Sequence, residues 1–255
     1  MTRSTAKDYA FVGAIPPEQW WDRYSDTGLL FTTEPAVALR GTAGGWSAVL
    51  FGVPSARTDR DDRRIRYTLI AESGAEDAAL AARLVRVALD PDAREKLGRR
   101  LDKIYSGELL NSYFSDRAET GAPDLAEAVG ALREAAGRQP ADIPPYGPVE
   151  PPLAGPYDLP AARDAFIAHA HALAGGGTGL CLVAAGAASL KDVRPALDLA
   201  GRRTALLLPN ASLTKVVALK KDTPPPPRRK PNWQWVAAVL GGSLVLLILW
   251  LMRKL

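Results

Sequence analysis

Apolar and polar positions change period several times along this 255-residue chain, and each change marks an element. Residues 45–53 and 65–71 are rich in β-branched and aromatic side chains, and in the second run Ile65, Tyr67 and Leu69 share one face by the period of two. A polar connection, residues 54–64, joins them, so the pattern predicts an antiparallel hairpin with a charged tip. Upstream, residues 8–14 predict a short strand. Residues 17–25 predict a short helix carrying Trp20, Trp21 and Tyr24, which Gly28 ends. Trp20 and Tyr24, four apart, share a face and Trp21 points elsewhere. These aromatics either pack on the sheet or face a partner; packing is the expectation, since aromatics dominate cores as well as interfaces. Residues 29–31 and 36–39 are candidate short strands.

After the hairpin the period lengthens to that of a helix. Ser73 and Glu76 have the spacing of a capping box, followed by an apolar stripe of Leu80, Leu84, Val87 and Ala88. Asp90-Pro91 stops this helix and starts another, because proline is favoured at the first helical position. Leu97, Leu101, Ile104 and Tyr105 repeat the stripe up to Gly107. A third helix is expected over 123–136 on Leu125, Val129 and Leu132. Residues 139–160 then hold eight prolines, too dense for a helix or a central strand, and predict a semi-rigid linker or a loop wrapped over the domain.

Beyond the prolines the order is helix (161–173), glycine-rich turn (175–179), strand (180–184), helix (189–200) and strand (204–208), with residues 214–219 as a further candidate strand. Neither strand alternates polar with apolar, so both are expected to be buried on both faces and paired in parallel through a right-handed crossover. The expected fold class is therefore α+β (mixed α/β): an antiparallel hairpin plus helices, then a small αβαβ unit, then one C-terminal transmembrane helix. The expected organisation is an N-terminal mixed α/β domain (1–138), a Pro-rich linker (139–160), a small α/β unit packing on the first domain (161–219), a basic Pro-rich stalk (220–232) and the transmembrane helix (233–252).

That last stretch has the strongest pattern in the chain. Residues 235–252 carry no charge, and 18 residues make a helix of about 27 Å, close to the hydrocarbon thickness of a bilayer. Trp233 and Trp235 stand at one end and Trp250 near the other, where amphipathic rings prefer the headgroup level; Arg253 and Lys254 follow. A wholly apolar core helix of this length is the rarer alternative. Residues 1–8 resemble a charged leader, but the apolar run after them is short, ends at Pro16-Pro17 and has no small-residue cleavage site, so no signal peptide is expected. Lys220, Lys221, Arg228, Arg229 and Lys230 precede the helix and only two bases follow it. The bias places the N-terminal part in the cytoplasm and makes the helix a tail anchor.

Charge read by region sharpens this. The chain has 32 Lys and Arg against 28 Asp and Glu; setting aside the seven bases just named and Asp222 leaves 25 bases and 27 acids over residues 1–218. The basic excess belongs to the membrane-proximal strip, which suits contact with anionic headgroups and argues against nucleic acid as a partner. Four consecutive prolines at 224–227 favour an extended spacer over an SH3-type ligand. Within the apolar span Ala237 and Gly241, like Ala238 and Gly242, are four apart on one face. Small residues so placed let two helices approach, so a homodimer through this helix is one expectation and a simple anchor the other.

Candidate chemistry is sparse. The single cysteine, Cys181, lies in an apolar run and reads as a buried structural residue. His169 and His171 stand two apart on a helix, about 200° around the axis, and cannot share one ion. The glycine-rich 175–179 follows a helix instead of preceding one, and no Walker-type lysine is present. Residues 184–189 have the strand–loop–helix order of a phosphate cradle but one glycine. No nucleophile elbow occurs. No catalytic residue, metal or cofactor is expected. One cluster stands out, at the hairpin tip: Arg57, Arg60, Arg63, Arg64 and Arg66, interleaved with Asp59, Asp61 and Asp62. It is either a solvated, self-neutralising turn or a site for an anionic ligand or acidic partner surface. The functional expectation is a membrane-tethered interaction or regulatory module, adaptor-like, with a cytoplasmic protein partner and the lipid bilayer as its surroundings. The alternatives are a membrane-anchored enzyme whose site is assembled from distant residues, or a nucleotide or anion sensor.

Overall fold

The period-two runs become strands of one seven-stranded sheet in the computed structural model, which describes residues 12, 19–31, 34–58, 63–110, 125–145, 151–200 and 203–219, apart from the side chains at 195 and 200. In chain order the elements are α1 (Asp22–Asp26), β1 (Ala36–Thr42), β2 (Gly45–Thr58), β3 (Arg64–Ser73), a single 3-10 turn at Ala75–Asp77, α2 (Ala78–Leu89), α3 (Pro91–Ile104), α4 (Leu125–Gly137), β4 (Leu153–Pro156), α5 (Pro160–Ala174), β5 (Gly179–Val183), α6 (Arg194–Ala200), β6 (Thr204–Leu208) and β7 (Val217–Ala218). The mixed α+β class is as expected from the sequence.

The sheet runs β3-β2-β1-β5-β6-β4-β7. β1, β2 and β3 form an antiparallel meander, with Leu39 opposite Ala48 and Leu50 opposite Leu69. β5 pairs antiparallel with β1, Leu39 opposite Cys181. β6 then lies parallel to both β5 and β4, and β7 closes the far edge antiparallel to β4. The path from β4 to β5 passes over β6 and the path from β5 to β6 returns, so right-handed crossovers put α5 and α6 on opposite faces.

Register fixes what each face meets. Gly41, Leu39 and Cys181 look towards α5, where the Cys181 thiol reaches Phe166 O at 3.8 Å. α2 packs beside α5 on this side, and α3 follows on β2. Arg40 and Ser47, opposite each other, look the other way and receive Trp20: its Nε1 donates to Ser47 Oγ at 3.0 Å, and the Arg40 guanidinium lies 5.1 Å from its ring centroid. A Cβ on Gly41 would stand 2.2 Å from Gly177 O, so β1 and the turn after α5 meet backbone to backbone.

Several expectations need correction. The 161–219 unit does more than pack on the N-terminal domain: β5 against β1 makes one continuous sheet, and the described residues up to 219 form one compact unit. The proline-rich stretch is not only a linker. Leu153, Ala154 and Gly155 keep their N–H groups and form a strand between β6 and β7, while the prolines stand at and before its ends. The aromatics of the first helix pack as expected: Trp20, Trp21 and Tyr24 are all buried, Trp20 edge-on to both neighbours. The capping box is not formed, because Ser73 still belongs to β3 and its hydroxyl donates to Asp77 Oδ2 at 2.5 Å. Residues 29–31 are not a strand, and the α6 helix begins only at Arg194. On α4, Leu125 and Val129 are exposed, and Ala131 and Ala136 are buried instead. The Asp90-Pro91 punctuation stands: Asp90 accepts from the Asp92 N–H at 2.9 Å and caps α3. Only residue 12 of the expected strand at 8–14 is described.

Candidate functional site

The arginine-rich hairpin rests on α3. Gly98 lets α3 lie directly on β2, since a Cβ there would stand 1.8 Å from Pro54 O. That approach delivers Asp102, one turn later, under the hairpin. Its carboxylate accepts from Ser55 Oγ at 2.5 Å, Tyr67 OH at 2.8 Å and the Ala56 N–H at 2.7 Å. Arg57 donates through Nη2 to Tyr67 OH at 3.0 Å and through Nε to Ser55 Oγ at 3.3 Å, and its Nε lies 3.7 Å from Asp102 Oδ1. Burial holds the Tyr67 phenol protonated far up the pH scale, more than the Arg57 charge can offset, and its bond to Asp102 adds to this. The cluster is therefore mutually satisfied. It fastens α3 to the hairpin and exposes neither a base nor an activated nucleophile.

Arg64 is also committed internally, donating to Ser55 O at 2.7 Å and to Glu95 at 3.3 Å. Arg63 and Arg66 are exposed, and Arg60 lies outside the described residues. Among the described arginines, Arg57 and Arg64 are turned inward and not towards an external site. These two knit the tip to α3.

The loop after β5 has the order of a phosphate cradle, but a carboxylate of the chain already occupies it. Asp192 Oδ2 accepts from the Ala188 N–H, the Ser189 N–H and the Ser189 hydroxyl at 2.8–3.0 Å. Asn210 Nδ2 donates to Ala185 O at 2.6 Å and ties the loop to the segment after β6. His169 is buried on α5, where burial pulls its pKa to about 4, the Arg203 carbonyl opposing this and the Arg203 charge adding to it. His171, two residues on, is half-buried. Among the described residues no cluster of His, Cys, Asp and Glu could hold a metal ion. Cys181 is fully buried and its thiol is pushed well up by burial alone.

Two features went unread in the sequence. One is a groove of about 600 Å³ between α3 and α4, lined by the cations Lys96, Arg99, Arg100, Lys103 and Arg138 together with the carboxylates Asp90 and Glu134. The four α3 cations fall on one stripe because their spacings are three and four. Arg99 lies 3.7 Å from Glu95, and Arg138 pairs with Glu134; Lys96, Arg100 and Lys103 have no carboxylate partner among the described residues. The domain balance of 25 bases to 27 acids hid this concentration, because a count over the chain has no direction.

The other feature is Arg94. It shares the inner stripe of α3 with Leu97 and Leu101, is only 9% exposed, and its Nη1 is buried with no hydrogen-bond partner. A signal was available: the arginine stands three residues before Leu97 and seven before Leu101, a position the helical period reserves for the core. Its surroundings are basic. Arg66 of β3 and Arg163 of α5 both act on its guanidinium, with Tyr157 and Asp90 opposing. Tyr157 joins the two helices there, its hydroxyl donating to Leu89 O at 3.2 Å while Arg163 stacks on its ring at 4.7 Å and donates to its carbonyl at 2.7 Å.

The anchor residues Trp233, Trp235, Trp250, Arg253 and Lys254, the small residues Ala237, Ala238, Gly241 and Gly242, and the basic set Lys220, Lys221, Arg228, Arg229 and Lys230 all lie outside the described residues. Among the described residues no helix is long and apolar enough to cross a membrane. No protein-family model matches the chain, and neither a curated protein nor a solved structure matches it.

Proposed function

We propose that the chain is a tail-anchored membrane protein whose residues 1–219 form a cytoplasmic interaction or regulatory module, adaptor-like in action. The observation that carries the reading is the uncharged span of residues 235–252, bracketed by tryptophans and preceded by five bases within eleven residues. In this reading the prolines at 224–227 space the module from the bilayer, and Lys220, Lys221, Arg228, Arg229 and Lys230 meet anionic headgroups at about 1 kcal/mol each. The groove between α3 and α4 supplies a surface for an acidic protein partner, since three of its cations have no carboxylate partner among the described residues. Small residues at 237, 238, 241 and 242 would let two copies pair in the membrane and raise the effective concentration of their modules.

Topology is the decisive measurement. A reporter fused at residue 1 should be protected from protease in intact cells and one after Leu255 accessible, and removal of residues 233–255 should release the chain from membranes washed in high salt. An N-terminal reporter cleaved from outside would overturn the cytoplasmic assignment. Persistent pelleting of the deletion would overturn the anchor.

A further inference from the structure

The groove between α3 and α4 sorts its residues by depth. Leu97 and Ala131 are 2% and 6% exposed, Ala93 and Ala135 are half-buried, and all five cations reach into solvent. The floor is therefore apolar and mostly methyl, and the charge stands around it. The two carboxylates of the lining are already engaged: Asp90 caps α3 through the Asp92 N–H, and Glu134 pairs with Arg138. Lys96, Arg100 and Lys103 have no carboxylate partner among the described residues. An apolar floor flanked by uncompensated positive charge calls for a ligand that is apolar on one side and acidic beside it.

Both walls repeat with the helical period. The lining includes residues 93, 96, 97, 100 and 103 on α3 and 131, 134, 135 and 138 on α4, at steps of three and four. At a rise of 1.5 Å per residue the α3 stripe runs about 15 Å and the α4 stripe about 10 Å. The cations are thus drawn out in a line, Lys96 and Lys103 standing about 10 Å apart along the axis, farther than a single phosphate spans. Alanines on the floor let a third helix come close, because the side chains at the contact set the distance between axes. The groove adjoins no sheet edge: α3 lies on β2, which is paired on both sides by β1 and β3. An extended peptide would find no backbone partners there, whereas a helix satisfies its own N–H and C=O groups.

We propose that the α3–α4 groove seats an acidic amphipathic helix of a partner protein. Its apolar stripe faces Leu97, Ala131 and Ala135, and glutamates or aspartates on the flanks of that stripe meet Lys96, Arg100 and Lys103. The proposal rests on the interaction-module reading above and gives the acidic partner a shape. Burial on the floor holds the helix, and the charges steer its approach and fix its register.

The test uses the full chain in a non-ionic maltoside detergent, with empty micelles as the blank. The probes are fluorescent helical peptides of about 14 residues, with leucine and alanine on one stripe and glutamates on its flanks, made in several registers. A scrambled peptide of the same composition and inorganic tripolyphosphate are the controls. Saturable binding, read by anisotropy, is expected for at least one register and at least tenfold weaker for the scramble. Changing Lys96→Gln, Arg100→Gln and Lys103→Gln together should weaken it about tenfold, at roughly twofold for each exposed pair. Ala135→Phe keeps every charge but fills the floor, and should abolish binding. The glutamine changes, all at exposed positions, keep the test open should the Phe variant fail to fold. Equal binding of the scramble, binding unmoved by a folded Ala135→Phe variant or by the triple change, or no saturable binding in any register would overturn the seat. Saturable binding of tripolyphosphate but of none of the peptides would assign the groove to a small polyanion and overturn it likewise. The membrane reading stands or falls separately, on the reporters at residue 1 and after Leu255, because the peptide assay in detergent reads the groove whichever side of the membrane it faces.

Discussion

Asp102 is the side chain whose removal should be felt most at the hairpin. In Asp102→Ala the Ser55 hydroxyl, fully buried, and the Tyr67 hydroxyl, in a residue 4% exposed, each lose the acceptor they donate to. A buried donor left without an acceptor costs about 1–3 kcal/mol, so the pair costs about 4 kcal/mol. The Ala56 N–H is at the surface and water replaces its bond, so it adds little. Arg57 keeps its bond to Tyr67, and the loss of its ion pair at 3.7 Å is a fraction of a kcal/mol. With a urea m-value of about 2–3 kcal/mol/M, the midpoint should fall by roughly 1.5 M with the slope unchanged. Asp102→Asn keeps one acceptor oxygen but turns an amide donor towards one of three donors, and should lose about half as much. Equilibrium urea unfolding of residues 1–219, followed by tryptophan fluorescence, reads both. A loss under about 1 kcal/mol in the alanine variant would mean that water already reaches the cluster, and the account of α3 fastened by a buried carboxylate would be wrong.

Two further outcomes follow from single residues. His169, pulled from 6.5 to about 4 by burial, takes up a proton in the unfolded chain before it does so in the fold. Its effect on stability is therefore constant above pH 6.5 and becomes a loss as pH falls towards 4, reaching about 3 kcal/mol; His169→Gln should flatten the pH dependence of the urea midpoint over that window, and an unchanged slope would refute this. Gly98→Ala should destabilise by about 2 kcal/mol although alanine is the better helix former by about 1 kcal/mol, because the new methyl meets the rigid Pro54 carbonyl; a Tm equal to or above that of the wild type would show that α3 can ride away from β2.

What could be read from the sequence divides along the range of the interactions. The hairpin, the α2 and α3 stripes, the Asp90-Pro91 junction and strand β6 were legible because each is written in the spacing of neighbouring residues. The continuity of the sheet was not, because nothing local in residues 36–42 or 179–183 says that Leu39 will face Cys181. Proline density misled because only three residues without proline were needed to make β4, and prolines at a strand's ends cost no ladder bond. On α4 the large apolar residues drew attention, while the alanines of the same helix face α2 and α3, where small side chains allow close approach. Of the candidate site, the arginines of the hairpin were visible, but the assignment of Arg57 to Asp102 and of Arg64 to Glu95 needed the fold. Arg94 was visible in principle as a charge on an apolar stripe.

The pairing of β1 with β5 also sets a tempo. Strands β1 to β3 can zip together as soon as residue 73 has been made, but the second edge of β1 stays open until a segment about 140 residues downstream arrives, and joining ends so far apart costs about 4 kcal/mol of chain entropy. Contacts of that range slow folding, and an unpaired edge as apolar as that of β1 invites other strands in the interval. The last strand to join, β7, is complete only at Ala218, just before the basic stretch begins. In the tail-anchored reading proposed above, the apolar span follows the last strand closely during synthesis, so chaperones that shield exposed strands and factors that capture membrane segments would act close together on the chain. A chain truncated at residue 138 would keep the open edge permanently and should collect in aggregates.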